Sequence, residues 1–206
     1  MTYPTFTGRD ALLATIDEAC GAPTLLETTH RLRDGMCKLI RDKVVYLPEC
    51  VFEPVEGHYA RRELYACPER GTSVVAMTWA PGQGTPIHDH CGLWCVEGVW
   101  QGQLEIVRYE LEERDGDRCR FSQHETLLAG KGTAGSLLPP HEYHTIRNPD
   151  EANIAISLHI YQKAMLNCAT FEPQDGDWYL RSKKAMCLDE VECQQETAAD
   201  GRKAVG

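Results

Sequence analysis

Residues 86–95 read Pro-Ile-His-Asp-His-Cys-Gly-Leu-Trp-Cys and hold the most informative pattern in the chain. Side chains alternate between the two faces of an extended strand, so His88 and His90 point to the same side and Asp89 points away. A neutral imidazole is the commonest protein ligand for a divalent transition metal. The pair therefore predicts two ligands of a metal site, and a third ligand must come from elsewhere in the chain.

A second segment, residues 139–144, reads Pro-Pro-His-Glu-Tyr-His, and we predict that its last residue, His144, is the third ligand. The first segment has the spacing Gly82, five residues, His88, one, His90, four, Cys95, six, Gly102, and the second has Pro139, four residues, His144, three, Asn148. Both spacings resemble the paired motifs of the cupin superfamily, small jelly-roll barrels with a metal at the centre. Most cupins have a glutamate ligand where Cys95 stands, so the resemblance implies a site without an acidic ligand and with open positions.

Three histidines do not select a metal by themselves. Three histidines and a water also form the site of zinc hydrolases. Raw affinity favours copper or zinc over ferrous iron. A zinc isomerase or hydrolase therefore stays open on the residues alone, as does a surface histidine pair with no metal at all.

Composition limits the class of protein. The 206 residues form one predicted domain, 1–206, and the net charge of −10 argues against nucleic acid or an anionic membrane as partner. No stretch approaches the roughly 18 apolar residues of a membrane span. The N-terminus lacks the form of a secretion signal, and the ten cysteines include no Cys-x-x-Cys pair. We therefore interpret the cysteines as thiols and predict a cytoplasmic protein.

The hydrophobic pattern predicts N-terminal helices over 8–43, a β-barrel over 44–188 and a flexible tail over 189–206. Strands are predicted at 73–79, 94–100, 103–109 and 153–161, where β-branched and aromatic residues lie between Gly, Pro and Asp clusters. Asp115-Gly116 predicts a type I′ hairpin turn. The predicted fold is mainly β, a cupin jelly-roll barrel with the N-terminal helices packed on it.

The strand at 153–161 has two chemically different faces. Isoleucine and leucine alternate on one face, and Ser157, His159 and Tyr161 lie on the other. These three side chains can form a chain of hydrogen bonds from serine to histidine to tyrosine. The alternative is a half-exposed strand with its polar face in water.

With these residues the chain resembles the cysteine dioxygenases, the thiol dioxygenase branch of the cupins, from about residue 59 to 171. In that family three histidines hold Fe(II), and a Ser-His-Tyr row follows the third histidine at the offsets of Ser157, His159 and Tyr161. Mammalian members of the family also carry a cysteine, at the position of Cys95, that is joined to the tyrosine as a thioether, whereas bacterial members usually have glycine there. The resemblance thus implies a Cys95–Tyr161 bond, with a buried free thiol as the alternative.

The same resemblance implies how substrate is bound. The family uses an arginine just after a tyrosine, upstream of the metal motif, to hold the substrate carboxylate, and residues 59–62 read Tyr-Ala-Arg-Arg. Arg61 and Arg62 face opposite ways on a strand, and the spacing from Tyr59 favours Arg61. Its planar fork suits a carboxylate. Cys168 matches a residue that lines the pocket.

The implied function is a non-haem Fe(II) thiol dioxygenase that oxidises L-cysteine with O₂ to cysteine sulfinic acid. The expected partners are a small-molecule thiol and O₂, with no nucleic acid and no membrane, and the oligomeric state stays open. One alternative is a 3-mercaptopropionate dioxygenase, although those enzymes generally carry glutamine in place of the arginine. The other is a non-enzymatic cupin that binds a thiol or a metal.

Overall fold

The computed structural model describes residues 3–190. Within them the helices are α1 (Arg9–Cys20) and α2 (Leu25–Arg41), followed by a short 3₁₀ helix (Glu49–Phe52). Eleven strands follow: β1 (Ala60–Ala66), β2 (Ser73–Trp79), β3 (Ile87–His88), β4 (Cys95–Gln101), β5 (Gln103–Asp115), β6 (Arg118–Gly130), β7 (Ala134–Leu137), β8 (His144–Arg147), β9 (Ala155–Tyr161), β10 (Asn167–Pro173) and β11 (Trp178–Ala185). The predicted fold class, mainly β with N-terminal helices packed on the strands, is confirmed.

Two helices cover one face of the first sheet. Helix α2 begins after Thr24, whose side-chain oxygen accepts the backbone N–H of Glu27 at 3.2 Å and so caps the helix. Its apolar residues Leu32 and Met36 are buried in one cluster with Leu12 of α1 and with the helix-facing side of the sheet. The helices therefore bury one face of the sheet and leave its other face to form the barrel interior.

The strands form two antiparallel sheets. The first has the order β1-β2-β9-β4-β7, and the second has the order β10-β11-β6-β5-β8-β3. The second sheet closes because β10 pairs with both β11 and β3. In it His88 of β3 lies directly opposite His144 of β8, which brings the two histidine segments together.

The long β5–β6 hairpin refines the predicted turn. Asp115 pairs with Arg118, so the two central residues are Gly116 and Asp117. Gly116 has a φ of +61°, whereas Asp117 is not among the described residues with positive φ. One left-handed residue at the first central position corresponds to a type II′ turn rather than the predicted type I′.

Three other expectations need correction. The part of 44–188 that precedes β1 is loop and 3₁₀ helix rather than strand. Hydrophobic periodicity gives no guidance there because the segment contains no long periodic stretch. The predicted flexible tail begins at Asp189, yet the Asp189 carboxylate accepts the backbone N–H of Arg61 at 2.7 Å, which fixes that residue. The rest of the predicted tail, 191–206, lies outside the described residues. Cys50 is disulfide-bonded rather than a thiol, since pairing depends on proximity in the fold and not on sequence spacing.

Eight further cysteines are free thiols, and they include Cys95 and Cys168. No helix within residues 3–190 is long and apolar enough to cross a membrane.

Candidate metal centre

Three buried histidines meet inside the barrel. His88 ends β3, His90 follows it by two residues, and His144 begins β8. Each offers one ligand nitrogen, and the three nitrogens lie within 4.8 Å of one another. His90 and His144 are 1% exposed and His88 is 9% exposed. The structure thus brings together the three ligands that the sequence pattern proposed.

Backbone carbonyls orient two of the rings. Nδ1 of His88 lies 3.2 Å from the carbonyl oxygen of Pro86, and Nδ1 of His144 lies 3.1 Å from that of Glu142. A carbonyl can only accept, so Nδ1 carries the proton in both rings and Nε2 keeps its lone pair. The third ring lies beside the Glu142 side chain, whose Oε2 accepts the backbone N–H of His90 at 2.6 Å.

Burial keeps the imidazoles of His88 and His144 neutral. Burial, followed by the neighbouring His90, lowers the pKa of His144 to about 3. Burial also holds the pKa of His88 well below its usual value, with His144 and His90 as the next causes. Only a neutral imidazole can bind a metal, so His88 and His144 are in the ligating form at neutral pH.

The predicted Ser-His-Tyr chain forms only in part. Ser157 Oγ lies 2.8 Å from Nε2 of His159 and accepts the indole N–H of Trp79 at 2.9 Å. The other ring nitrogen of His159, Nδ1, lies 3.4 Å from Oε2 of Glu97. Within residues 3–190 the contact of His159 with Tyr161 is ring stacking, with centroids 6.0 Å apart, and not a hydrogen bond.

The register explains this correction. His159 of β9 lies directly opposite Glu97 of β4. Opposite residues have their Cβ atoms about 5 Å apart, whereas residues two apart along a strand are separated by about 7 Å. Nδ1 of His159 therefore lies near the side chains of Glu97 and Cys95 on β4 rather than near Tyr161.

Cys95 and Tyr161 are also direct cross-strand partners, in the same β4–β9 ladder. Both side chains are buried, at 0% and 1% exposure. Burial raises the pKa of both groups well above their usual values, and the positive charge of Arg61 opposes this rise. The two side chains that the predicted thioether would join are thus neighbours.

The two candidate arginines occupy different sides of β1. Burial raises the pKa of Tyr59 and of Tyr161, and the positive charge of Arg61 opposes the rise in both cases. Arg61 donates from Nη1 to the carbonyl of Cys187 at 3.1 Å, and its buried Nε has no hydrogen-bond partner among residues 3–190. Arg62 instead donates to the Thr78 hydroxyl at 3.3 Å. Arg61 is therefore the arginine on the side of the tyrosines.

A small cavity adjoins the histidines. Its lining includes the three histidines together with Tyr59, Trp79, His159, Tyr161, Met77, Met165 and Met186. Tyr59 stacks on Trp79 with ring centroids 4.4 Å apart. Cys168 is buried beside this lining, with its sulfur 3.4 Å from that of Met186.

Two residues close in sequence to the histidine ligands lie outside the cluster. Asp89 faces away from the histidines, and its Oδ1 accepts the backbone N–H of Ala169 at 2.7 Å. His141 is exposed, and its Nδ1 lies 3.1 Å from a carboxylate oxygen of Glu110.

The sequence pattern missed Glu97, Glu142 and Trp79. Glu97 is 6% exposed, burial raises its pKa to about 7, and its Oε2 lies 3.9 Å from Nε2 of His144. It stands two residues after Cys95 and so shares its strand face. An acidic residue inside an apolar strand was the signal that could have identified it. Its contacts with His144 and His159 are not ion pairs, because burial keeps both imidazoles neutral.

Comparison with known proteins gives the family. Curated relatives named "Cysteine dioxygenase type 1" from Danio rerio and Rattus norvegicus are 24% and 22% identical over 104 residues, which is 50% of this chain. The chain spans about half the length of these relatives, 51% in both cases.

Solved structures with some similarity to this chain include "Oxalate oxidase in complex with substrate analogue glycolate", with a TM-score of 0.41, 17% identity and 53% of each chain covered. A conserved protein with a double-stranded beta-helix domain from Klebsiella pneumoniae has a TM-score of 0.42 and 15% identity, covering 66% of this chain and 96% of that one. A family profile described as "Cysteine dioxygenase type I" matches residues 56–174, which include all three histidines, Cys95 and Tyr161. This chain belongs to the cysteine dioxygenase type I family.

Proposed function

We propose that this protein is a non-haem Fe(II) thiol dioxygenase that oxidises L-cysteine with O₂ to cysteine sulfinic acid. The observation that carries the proposal is the buried cluster of His88, His90 and His144 in a chain of this family. Other sites built from three histidines hold zinc, so the family supplies the choice of iron.

The donor set fits a divalent cation. Three buried nitrogens converge within 4.8 Å, and two of the rings have their outer nitrogen fixed by a carbonyl. When bound, Fe(II) would lower the pKa of a coordinated thiol and activate O₂. The protein supplies orientation, charge placement and exclusion of water around that reaction.

Arg61 is proposed to bind the substrate carboxylate. Its guanidinium is buried, and within the part of the chain that the structure describes it has one hydrogen bond, to the Cys187 carbonyl, and an unpaired Nε. Burial of an unpaired charged donor is unfavourable, and a carboxylate that accepts from the fork would remove that cost. Tyr59, stacked on Trp79 in the cavity lining, is proposed to orient the substrate, and Cys168 packs against Met186 of that lining.

Tyr161 is proposed to place its hydroxyl beside the reacting oxygen. His159 stacks on the Tyr161 ring, and Ser157 fixes the His159 ring through its hydrogen bond. Cys95 is proposed to form a thioether with a ring carbon of Tyr161. That bond forms with loss of the S–H and one ring C–H hydrogen, so two electrons and two protons pass to O₂. The cross-strand pairing of the two residues supports it.

The main reaction balances without a further reductant. Both atoms of O₂ end on the sulfur, so one thiol and one O₂ give one sulfinic acid. The iron is not consumed, and no proton acceptor outside the site is needed.

The test is oxygen uptake after anaerobic loading with Fe(II), using L-cysteine, 3-mercaptopropionate and cysteamine side by side. We expect one O₂ consumed per cysteine sulfinic acid formed, and slow turnover of cysteamine because it has no carboxylate for Arg61. Zn(II)-loaded protein and the His144→Ala variant serve as inactive controls. Faster oxygen uptake with 3-mercaptopropionate than with L-cysteine would identify 3-mercaptopropionate as the substrate. Thiol binding with no uptake for any of the three would favour a binding module.

A further inference from the structure

Glu97 is a buried carboxylate that the proposed reaction does not use. It lies on β4 with 6% exposure, and its Oε2 has no hydrogen-bond partner within the described residues. That oxygen lies 3.4 Å from Nδ1 of His159 and 3.9 Å from Nε2 of His144. An unpaired buried carboxylate is costly, so its position between two histidines calls for a physical reason.

The hydrogen-bond pattern fixes the proton on His159. The indole N–H of Trp79 can only donate, so Ser157 Oγ accepts from it. The buried hydroxyl hydrogen of Ser157 then needs an acceptor, and Nε2 of His159 at 2.8 Å provides it. A neutral His159 that accepts at Nε2 carries its proton at Nδ1, which lies 3.4 Å from Oε2 of Glu97 and 3.9 Å from Sγ of Cys95.

The contact with His144 has the opposite character. Nδ1 of His144 donates to the Glu142 carbonyl, so the atom that faces Glu97 is the lone pair on Nε2. A lone pair and a carboxylate oxygen 3.9 Å apart are two acceptors without a donor between them. A cation bound by Nε2 would stabilise both.

We propose that Glu97 is a positioning residue of the metal centre, which lies against the Nδ1–H side of His159 and adds a negative charge beside the histidine cluster. Glu97 stands outside the set of three ligand nitrogens and acts on a bound divalent cation through space. The inference rests on the metal site of the proposed function and not on its substrate.

The surroundings of Glu97 strengthen this effect. Glu97 is 6% exposed, and the apolar side chains of Leu104 and Ile106 lie in the lining beside it. Apolar surroundings screen a charge poorly, so one carboxylate changes the potential at the histidines more than a surface carboxylate would. Loss of the charge should therefore weaken cation binding without removing any ligand.

The Glu97→Gln variant isolates the charge. Glutamine keeps the size of the side chain and an oxygen that can accept from His159, and only the negative charge is lost. Co(II) titration of the metal-free proteins, followed by calorimetry and by absorption of the bound ion, should show affinity reduced by about 10- to 100-fold. The matched control is Glu63→Gln, a half-buried carboxylate that accepts the Ser73 hydroxyl at 2.7 Å outside the site. The Co(II) affinity of the Glu63→Gln variant should stay within about twofold of that of the unsubstituted protein. A Glu97→Gln protein that binds Co(II) as tightly as the parent overturns the proposal.

A measurement on the unsubstituted chain covers the case in which the variant does not fold. The nitrogen chemical shifts of His159, measured by NMR in the metal-free and Zn(II)-loaded protein, should show the proton on Nδ1. A proton on Nε2 would contradict the proposal. Both readouts are independent of oxygen uptake, so a metal centre that uses another substrate would still give the expected results.

Discussion

The first sheet is buried on both faces, and strand β9 places apolar side chains on one face and polar side chains on the other. On the helix-facing side, Ile156, Leu158 and Ile160 lie in one apolar cluster with residues of α1 and α2. On the barrel side, Ser157, His159 and Tyr161 lie among the metal-site residues. Every residue of the strand is buried, so neither face meets water.

The alternation in β9 therefore separates two interiors rather than an inside from an outside. Polar residues on a strand usually face water. Here they face a cavity that contains other polar groups, and the apolar residues face the helices. We expect the helix side to determine stability and the barrel side to determine ligand binding, and the following substitutions test that division.

The largest effect should follow loss of a ligand on the barrel side. The His144→Ala variant should bind Co(II) at least about 1000-fold more weakly, or about 4 kcal/mol, since one of three nitrogens is lost. Calorimetric titration measures it, with exposed His141→Ala as the control that keeps full affinity. Equal losses in both variants would contradict a site centred on His144.

The Leu158→Ala change tests the helix side. It removes a fully buried side chain, so the free energy of unfolding should fall by about 2–5 kcal/mol. Urea denaturation of the metal-free protein measures this, and Co(II) affinity of the folded variant should stay within about twofold. A tenfold loss of Co(II) affinity in folded Leu158→Ala protein would show that the two faces are coupled.

Neighbouring arginines on β1 offer a smaller and paired test. The Arg61→Leu variant should raise the KM for cysteine by about 10- to 100-fold, because a charged hydrogen bond to the carboxylate is worth about 1.5–3 kcal/mol. Arg62→Leu, which loses the Thr78 contact instead, should leave that KM nearly unchanged. The reverse result in oxygen-uptake kinetics would assign the carboxylate to Arg62.

The smallest effect concerns the close contact between helix and sheet. A Cβ at Gly98 would lie 2.1 Å from Sδ of Met36, so Gly98→Ala should cost about 1–3 kcal/mol of stability. Thermal denaturation should show part of this cost recovered in a Gly98→Ala, Met36→Ala double variant. Strict additivity would mean that the two side chains do not compete for the space.

Some of this architecture follows from local patterns. Strand periodicity was enough to pair His88 with His90, and the resemblance to the two cupin motifs added His144. Strand β2 was predicted with its observed bounds because Ser73–Trp79 is a continuous β-branched and aromatic run between turn residues. Local preferences fix such elements before any tertiary contact forms.

The role of Glu97 was beyond such patterns. Its position depends on the register that sets β4 against β9, and register is a property of strand pairing rather than of one strand. The same reason explains why a Ser-His-Tyr chain looked plausible in sequence. Along β9 the residues alternate correctly, but the second nitrogen of His159 reaches across the ladder.

One contact has a practical consequence for shortened versions of this chain. Arg61 is tied to the segment after β11 at two points, through the Cys187 carbonyl and the Asp189 carboxylate, which stand 126 and 128 positions further along. The family profile stops at residue 174. A fragment trimmed to that boundary would keep every histidine, but it would lose strand β11 from the barrel and the carbonyl that accepts from the Arg61 guanidinium.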